Sequence, residues 1–154
     1  MQTGQRVQYV ATGQVGHSDP AWRRRVDAHR DRRPSHWSTI ETDDVAQQLR
    51  QSPDTAMLVD DIGGWLTAIL DRRRAWEGGS ISADLDELTI AVAGFRAPLM
   101  LVSPEVGLTV VAATTSARRF TDELGILNQR LATLCERVVL VVAGQPLVIK
   151  RPGA

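Results

Sequence analysis

The sequence predicts an α/β fold, a mainly parallel sheet with flanking helices, from three observations. Short runs of apolar and β-branched residues alternate with stretches whose apolar residues recur every three or four positions. Two of those runs, Ala56-Met57-Leu58-Val59-Asp60-Asp61 and Pro98-Leu99-Met100-Leu101-Val102-Ser103, are apolar at consecutive positions, as strands covered on both faces of a parallel sheet are. Connections of ordinary length join strands to helices, the pattern of crossover units. In such a sheet ligands gather at the carboxyl ends of the strands.

Taken in order, Arg6-Val7-Gln8-Tyr9-Val10-Ala11 alternates well enough for a first strand, which Thr12-Gly13-Gln14-Val15-Gly16 ends. Asp19 is placed to cap a helix opening at Pro20, on which Trp22, Val26 and His29 share one face. Residues 37–41 read as a second strand, and Asp43 or Thr42 caps a short helix over 44–50. After the run at 56–61, Gly63-Gly64 turns the chain into a buried helix over 65–70, and 72–80 is polar enough for a surface loop. Ser82 caps a helix over 83–96 through Leu85, Leu88, Val92 and Phe95. A second buried strand follows at 98–103, with Glu105-Val106-Gly107 at its carboxyl end. A long helix over 116–136 then turns Phe120, Leu124, Leu127, Leu131 and Leu134 inward. The runs at 137–143 and 147–150 are too close for a parallel crossover, so they pair as a hairpin across Gly144-Gln145-Pro146.

A chain of 154 residues fits one domain of the usual ~100–200 residues, and 43% apolar content supplies a core. Lys+Arg and Asp+Glu both number 18, so no global field draws the molecule to nucleic acid or to a membrane surface. The single cysteine, Cys135, excludes an internal disulfide and a cysteine-built zinc cage, and Leu131 and Leu134 place it at a packed helical position. No run reaches membrane-spanning length, and residues 1–16 lack the basic-then-apolar order of a signal peptide. A cytoplasmic protein is expected.

The charge is local instead. Arg23, Arg24, Arg25, Arg30, Arg32 and Arg33 surround His29 in sequence, although Lys150 is the only lysine in the chain. Arginine grips phosphate oxygens in a bidentate fork, and nearby positive charge favours the neutral, nucleophilic imidazole. The same stretch also reads as a solvated basic helix face with a half-buried histidine.

Residues 25–41, with Asp27-Ala28-His29-Arg30-Asp31-Arg32-Arg33-Pro34 at their centre, resemble the histidine segment of the bifunctional adenosylcobinamide kinase / adenosylcobinamide-phosphate guanylyltransferases. Four more stretches agree in order and spacing: Tyr9-Val10-Ala11-Thr12, Leu58-Val59-Asp60-Asp61-Ile62-Gly63-Gly64-Trp65-Leu66-Thr67, Val102-Ser103-Pro104-Glu105-Val106-Gly107, and Arg118-Arg119-Phe120 with Asn128-Gln129-Arg130-Leu131-Ala132. The resemblance implies a P-loop, RecA-like fold acting in cobalamin assembly, with GTP or ATP and Mg²⁺ as cofactors and adenosylcobinamide and its phosphate as substrates. It implies that GMP is carried on His29. It further implies that Ala11, Thr12, Gly13, Arg30, Asp31, Arg32, Arg33 and Glu41 contact the guanine nucleotide. Asp60, in the place of the Walker-B-type carboxylate, would orient Mg²⁺ held by the phosphates, and the family's members form trimers. Glu105 is either a substrate or metal contact or the cap of its own loop.

The sequence departs from that family in several places. It contains no Gly-x-x-x-x-Gly-Lys-Ser/Thr, and it opens where the family's second strand would open. The expectation is a domain incomplete at its N-terminus relative to the family, with a gap near the middle of the sheet. Asp61 stands where the family has a small neutral residue, Gly64 where it has threonine and Pro104 where it has asparagine; Thr109, Ala112 and Thr114 differ as well. A non-catalytic relative, acting as a nucleotide-binding or interaction domain, is the alternative reading.

Overall fold

The computed structural model describes residues 4–13, 24, 33–108 and 113–153. Strands β1 (Gln8–Ala11), β2 (Ser38–Glu41), β3 (Met57–Asp60) and β4 (Leu99–Val102) form one parallel sheet in the order β2-β1-β3-β4. Helices α1 (Val45–Gln51), α2 (Ile62–Arg73), α3 (Ser82–Ala93) and α4 (Thr115–Leu134) connect and cover it. Strands β5 (Val138–Val142) and β6 (Gln145–Lys150) pair antiparallel as a separate hairpin. Parallel sheet and terminal hairpin both match the sequence reading, but the expected gap near the middle of the sheet is absent, because β1 pairs directly with β3 and β3 with β4. The expected basic helix from Pro20 through His29 lies, Arg24 apart, outside the described residues, as do Arg30, Asp31 and Arg32.

The register sorts the side chains. Tyr9 is level with Thr39 and Leu58, Ala11 with Glu41 and Asp60, and Asp60 with Val102. Because alternate residues point to opposite faces, Tyr9, Glu41, Asp60 and Val102 share one face, while Val10, Met57, Val59 and Leu101 share the other. Only the second face joins the helices: Val10, Met57 and Val59 are fully buried in one cluster with Leu49 of α1, Leu66 of α2, Leu88 of α3 and Leu127 of α4.

Several element ends differ from the sequence reading. The Gly63-Gly64 pair is not a turn, because α2 begins at Ile62. Asp61 caps it, its Oδ1 accepting from the Gly64 amide at 2.6 Å, so both glycines lie in the first helical turn. Pro104 explains the first glycine, since a Cβ there would lie 3.0 Å from its Cγ. Helix α1 is capped by Asp44, which accepts from the Gln47 amide, while Thr42 holds the Asp44 amide. Ser82 opens α3 without capping it; Ser80 Oγ accepts its amide. The segment 72–80 is not wholly surface: α2 runs to Arg73, Arg74 closes it in the left-handed conformation, and Ala75 is buried. Arg73 forks onto Asp84 at 3.0 and 3.1 Å.

Strand β4 was expected to be buried on both faces, and it is not: Met100 and Val102 are 46% and 39% exposed. Beyond β4 no described strand pairs with the sheet. The hairpin likewise exposes Val141 and Ile149, and it turns through Ala143-Gly144, both at positive φ, one residue earlier than expected. Lys150 fastens it to α4 by donating to the carbonyls of Ala132 and Thr133 at 3.0 and 3.2 Å. On α4, Leu124, Leu127 and Leu131 are buried as expected, whereas Leu134 is 43% exposed and Cys135 lies just past the helix end.

Candidate nucleotide site

The carboxyl edge of the sheet is stitched by its backbone. The Thr12 amide donates to Asp60 O and the Thr42 amide to Ala11 O, so the chain leaves β1, β2 and β3 at one level. At that level a cleft of about 510 Å³ opens, lined by Thr12, Gly13, Glu41, Thr42 and Asp43, with Ala68, Asp71 and Arg72 of α2 on its far wall. Its volume lies in the range of small-molecule sites. Three residues singled out from sequence, Thr12, Gly13 and Glu41, thus meet in one cavity. Ala11 sits between Glu41 and Asp60 in the register and carries no polar side chain to the cleft.

Thr12 has a second task. Its side chain is buried, donating to Asp61 O at 2.5 Å and accepting from the Asp61 amide at 3.0 Å, so the hydroxyl braces the start of α2. A side chain at Gly64 would place a Cβ 3.0 Å from that hydroxyl, which accounts for glycine there in this chain.

Asp60 closes β3 with its carboxylate on the face opposite the helices. The Tyr9 hydroxyl donates to Asp60 Oδ2, and the Arg33 guanidinium lies 3.4 Å from the centroid of the Tyr9 ring. Arg33 Nη1 also donates to Thr39 Oγ1 at 3.1 Å. Burial, and then the bond to Asp60, push the Tyr9 phenol up to about 12. Arg33 is the one arginine of residues 30–33 that the described residues place, and Tyr9 lies between it and Asp60. No described group of three or more His, Cys, Asp or Glu side chains converges on a point. A carboxylate at a strand end suits Mg²⁺, which keeps its waters and binds through one or two carboxylates plus phosphate oxygens.

Glu105 takes the capping role, one of the two expected of it. Its Oε1 accepts from the Gly107 amide at 2.6 Å, so it caps its own turn. Asn128 ties that loop down, accepting from Ser103 Oγ and donating to Pro104 O, and Arg130 reaches Asp86 and Thr89 of α3. These two polar positions of α4 therefore hold elements together. Tyr9, Asp71 and Arg72 were not singled out from sequence. Tyr9 carried a signal, lying two residues before Ala11 and so on the same strand face. Asp71 and Arg72 gave none, since a polar helix end is ordinarily solvated.

A parallel sheet flanked by helices, with a cleft at its carboxyl edge, is an α/β fold of the P-loop NTPase kind. Residues 1–149 match the model of the family described as cobinamide kinase / cobinamide phosphate guanyltransferase (CobU), and the chain belongs to that family. It is 37% identical to the bifunctional adenosylcobalamin biosynthesis protein CobP of Pseudomonas aeruginosa, over 97% of this chain and 85% of that protein. It is 33% identical to the protein named CobU of Salmonella typhimurium and 31% to that of Escherichia coli, each over 94% of this chain and 86% of the relative. Among the described residues no helix is long and apolar enough to cross a membrane.

Proposed function

We propose that this chain acts in cobalamin assembly as an adenosylcobinamide kinase / adenosylcobinamide-phosphate guanylyltransferase, transferring GMP from GTP through His29. The observation that carries the reading is a family match spanning almost the whole chain, with Thr12, Gly13 and Glu41 lining one cleft beside Asp60. The His29 imidazole attacks the α-phosphorus of GTP; an N–P bond forms, the bond to the bridging oxygen breaks, and pyrophosphate leaves. A phosphate oxygen of adenosylcobinamide phosphate then attacks the same phosphorus, and the N–P bond breaks to return the histidine. Arg30, Arg32 and Arg33 balance the charge of the transferring group, Asp31 and Glu41 contact the nucleotide, and the backbone of Ala11, Thr12 and Gly13 borders it. Mg²⁺, when bound through the phosphates, would neutralise their charge, and Asp60 is the residue that would orient it there.

Incubation with GTP labelled at the α-phosphate and Mg²⁺ tests the reading. Acid-labile label on the chain, lost in His29→Ala, is expected; a chain that binds GTP and takes up no label overturns the transfer. One observation favours a second reading: just past β3 and β4, Asp61 and Pro104 stand where the family has a small neutral residue and asparagine. A nucleotide-binding domain without transfer activity would then bind GTP reversibly, and label and binding separate the two.

A further inference from the structure

We propose that Tyr9 is a positioning residue whose hydroxyl fixes the carboxylate of Asp60 while its ring seats Arg33, joining the metal side of the site to the histidine segment. The inference rests on the guanylyl-transfer reading above.

The sheet makes the arrangement. Tyr9 stands on β1, flanked by β2 and β3, and Thr39, Tyr9 and Asp60 lie on the same face of three neighbouring strands. A phenol has one proton to give, and here it goes to Asp60 Oδ2. A strand-end carboxylate otherwise turns about its last torsion; with one oxygen held, its plane is set before any ligand arrives. The other side of Tyr9 serves a different group. Its ring face takes the Arg33 guanidinium at 3.4 Å, and Thr39 Oγ1 fixes the rotation of that guanidinium by accepting from Nη1. Arg33 is four residues past His29 in sequence, and the strand β2 begins at Ser38. One side chain therefore touches both the carboxylate assigned to Mg²⁺ and the arginine nearest β2 in the phosphate-gripping run. Displacing Asp60 moves the seat of Arg33 as well.

The hydroxyl and the ring can be separated by substitution. Tyr9→Phe keeps the seat of Arg33 and frees Asp60; Tyr9→Leu removes both. The test measures binding of a fluorescent N-methylanthraniloyl GTP to the full chain across a Mg²⁺ titration and in EDTA, with thermal melts alongside. Tyr9→Phe is expected to raise the Mg²⁺ concentration for half-maximal binding about tenfold, the effect of one hydrogen bond to a charged group, and to leave binding in EDTA unchanged. In an Asp60→Asn background the same substitution is expected to do nothing further. Tyr9→Leu is expected to weaken binding in EDTA too, as Arg33→Ala does. Equal loss by Tyr9→Phe with and without Mg²⁺, or effects of Tyr9→Phe and Asp60→Asn that simply add, would reduce Tyr9 to packing and overturn the proposal with the guanylyl reading intact. A wild-type chain that binds no analogue at any Mg²⁺ concentration overturns that reading and the proposal together. Should Tyr9→Phe fail to fold, Arg33→Ala probes the link from the other end: an unaltered Mg²⁺ requirement there refutes the coupling.

Discussion

Replacing Asp61 by alanine separates two roles of one carboxylate. Oδ1 of Asp61 accepts from the Gly64 amide at 2.6 Å, and the helix it caps carries Ile62, Trp65, Leu66, Ile69 and Leu70 into the core. Losing an N-cap of this kind costs about 1 kcal/mol. The negative charge at the helix N-terminus adds roughly 0.3–1 kcal/mol, which gives a total near ~1.5 kcal/mol. For a domain of this size each kcal/mol lowers the melting temperature by about 2–4 °C, so Asp61→Ala should melt about 5 °C below wild type. Asp61→Asn keeps a capping oxygen and loses only the charge, so its loss should stay under about 1 kcal/mol. The same carboxylate lies beside Asp60, where phosphates are proposed to bind, so both variants should bind GTP more tightly than wild type. Urea unfolding, with GTP titration in parallel, reads both effects. If Asn and Ala are equally destabilised, the contribution is charge and not the cap. If neither variant is destabilised, the account of how α2 begins is wrong.

Two further outcomes follow from burial. Tyr9 is the only tyrosine, so its phenolate absorbance can be followed alone, and its midpoint should lie near 12 against an ordinary value of 10. An acid whose folded value is raised contributes stability fully present below pH 10 and lost as the pH climbs through about 12; Asp60→Asn should bring the midpoint down, and a wild-type midpoint at 10 would contradict the buried bond. On α4, Leu127→Ala should cost about 2–5 kcal/mol by urea unfolding because Leu127 is fully buried, while Leu134→Ala, 43% exposed, should cost less than about 1 kcal/mol; comparable losses would mean that the face of α4 is misassigned.

Much of the fold was legible because periodicity reports burial directly. The strand at 8–11, the helical repeats of Leu85 and Leu88 and of Leu124, Leu127 and Leu131, and the terminal hairpin all announced themselves. What failed depended on partners distant in sequence. Gly63-Gly64 looked like a turn because glycines usually break helices; here Pro104 and Thr12 crowd the first turn, and Asp61 starts it. Strand β4 looked buried because its residues are apolar, but burial also needs a neighbour, and its outer edge has none among the described residues. In the site, Thr12, Gly13, Glu41 and Asp60 were found through the resemblance, and the structure brings the first three into one cleft. Tyr9 could be placed on the site's face from its spacing to Ala11, but its link to Asp60 and Arg33 could not, since those partners lie far off in sequence. His29, on which the transfer reading turns, lies outside the described residues.

The division of the sheet into two faces has a consequence for how this gene tolerates change. With all four described helices packed on one side, positions one apart along β1 and β3 answer to different demands. Val10 and Val59 serve the core, and variants there should be lost through poor folding, whatever the assay. Ala11 and Asp60 stand in the opposite phase and are only partly buried, and variants there should accumulate as soluble protein and fail only when asked to work. A saturation library sorted once for abundance and once for cobalamin-dependent growth should therefore show two combs along these strands, each with a period of two and displaced from the other by a single residue.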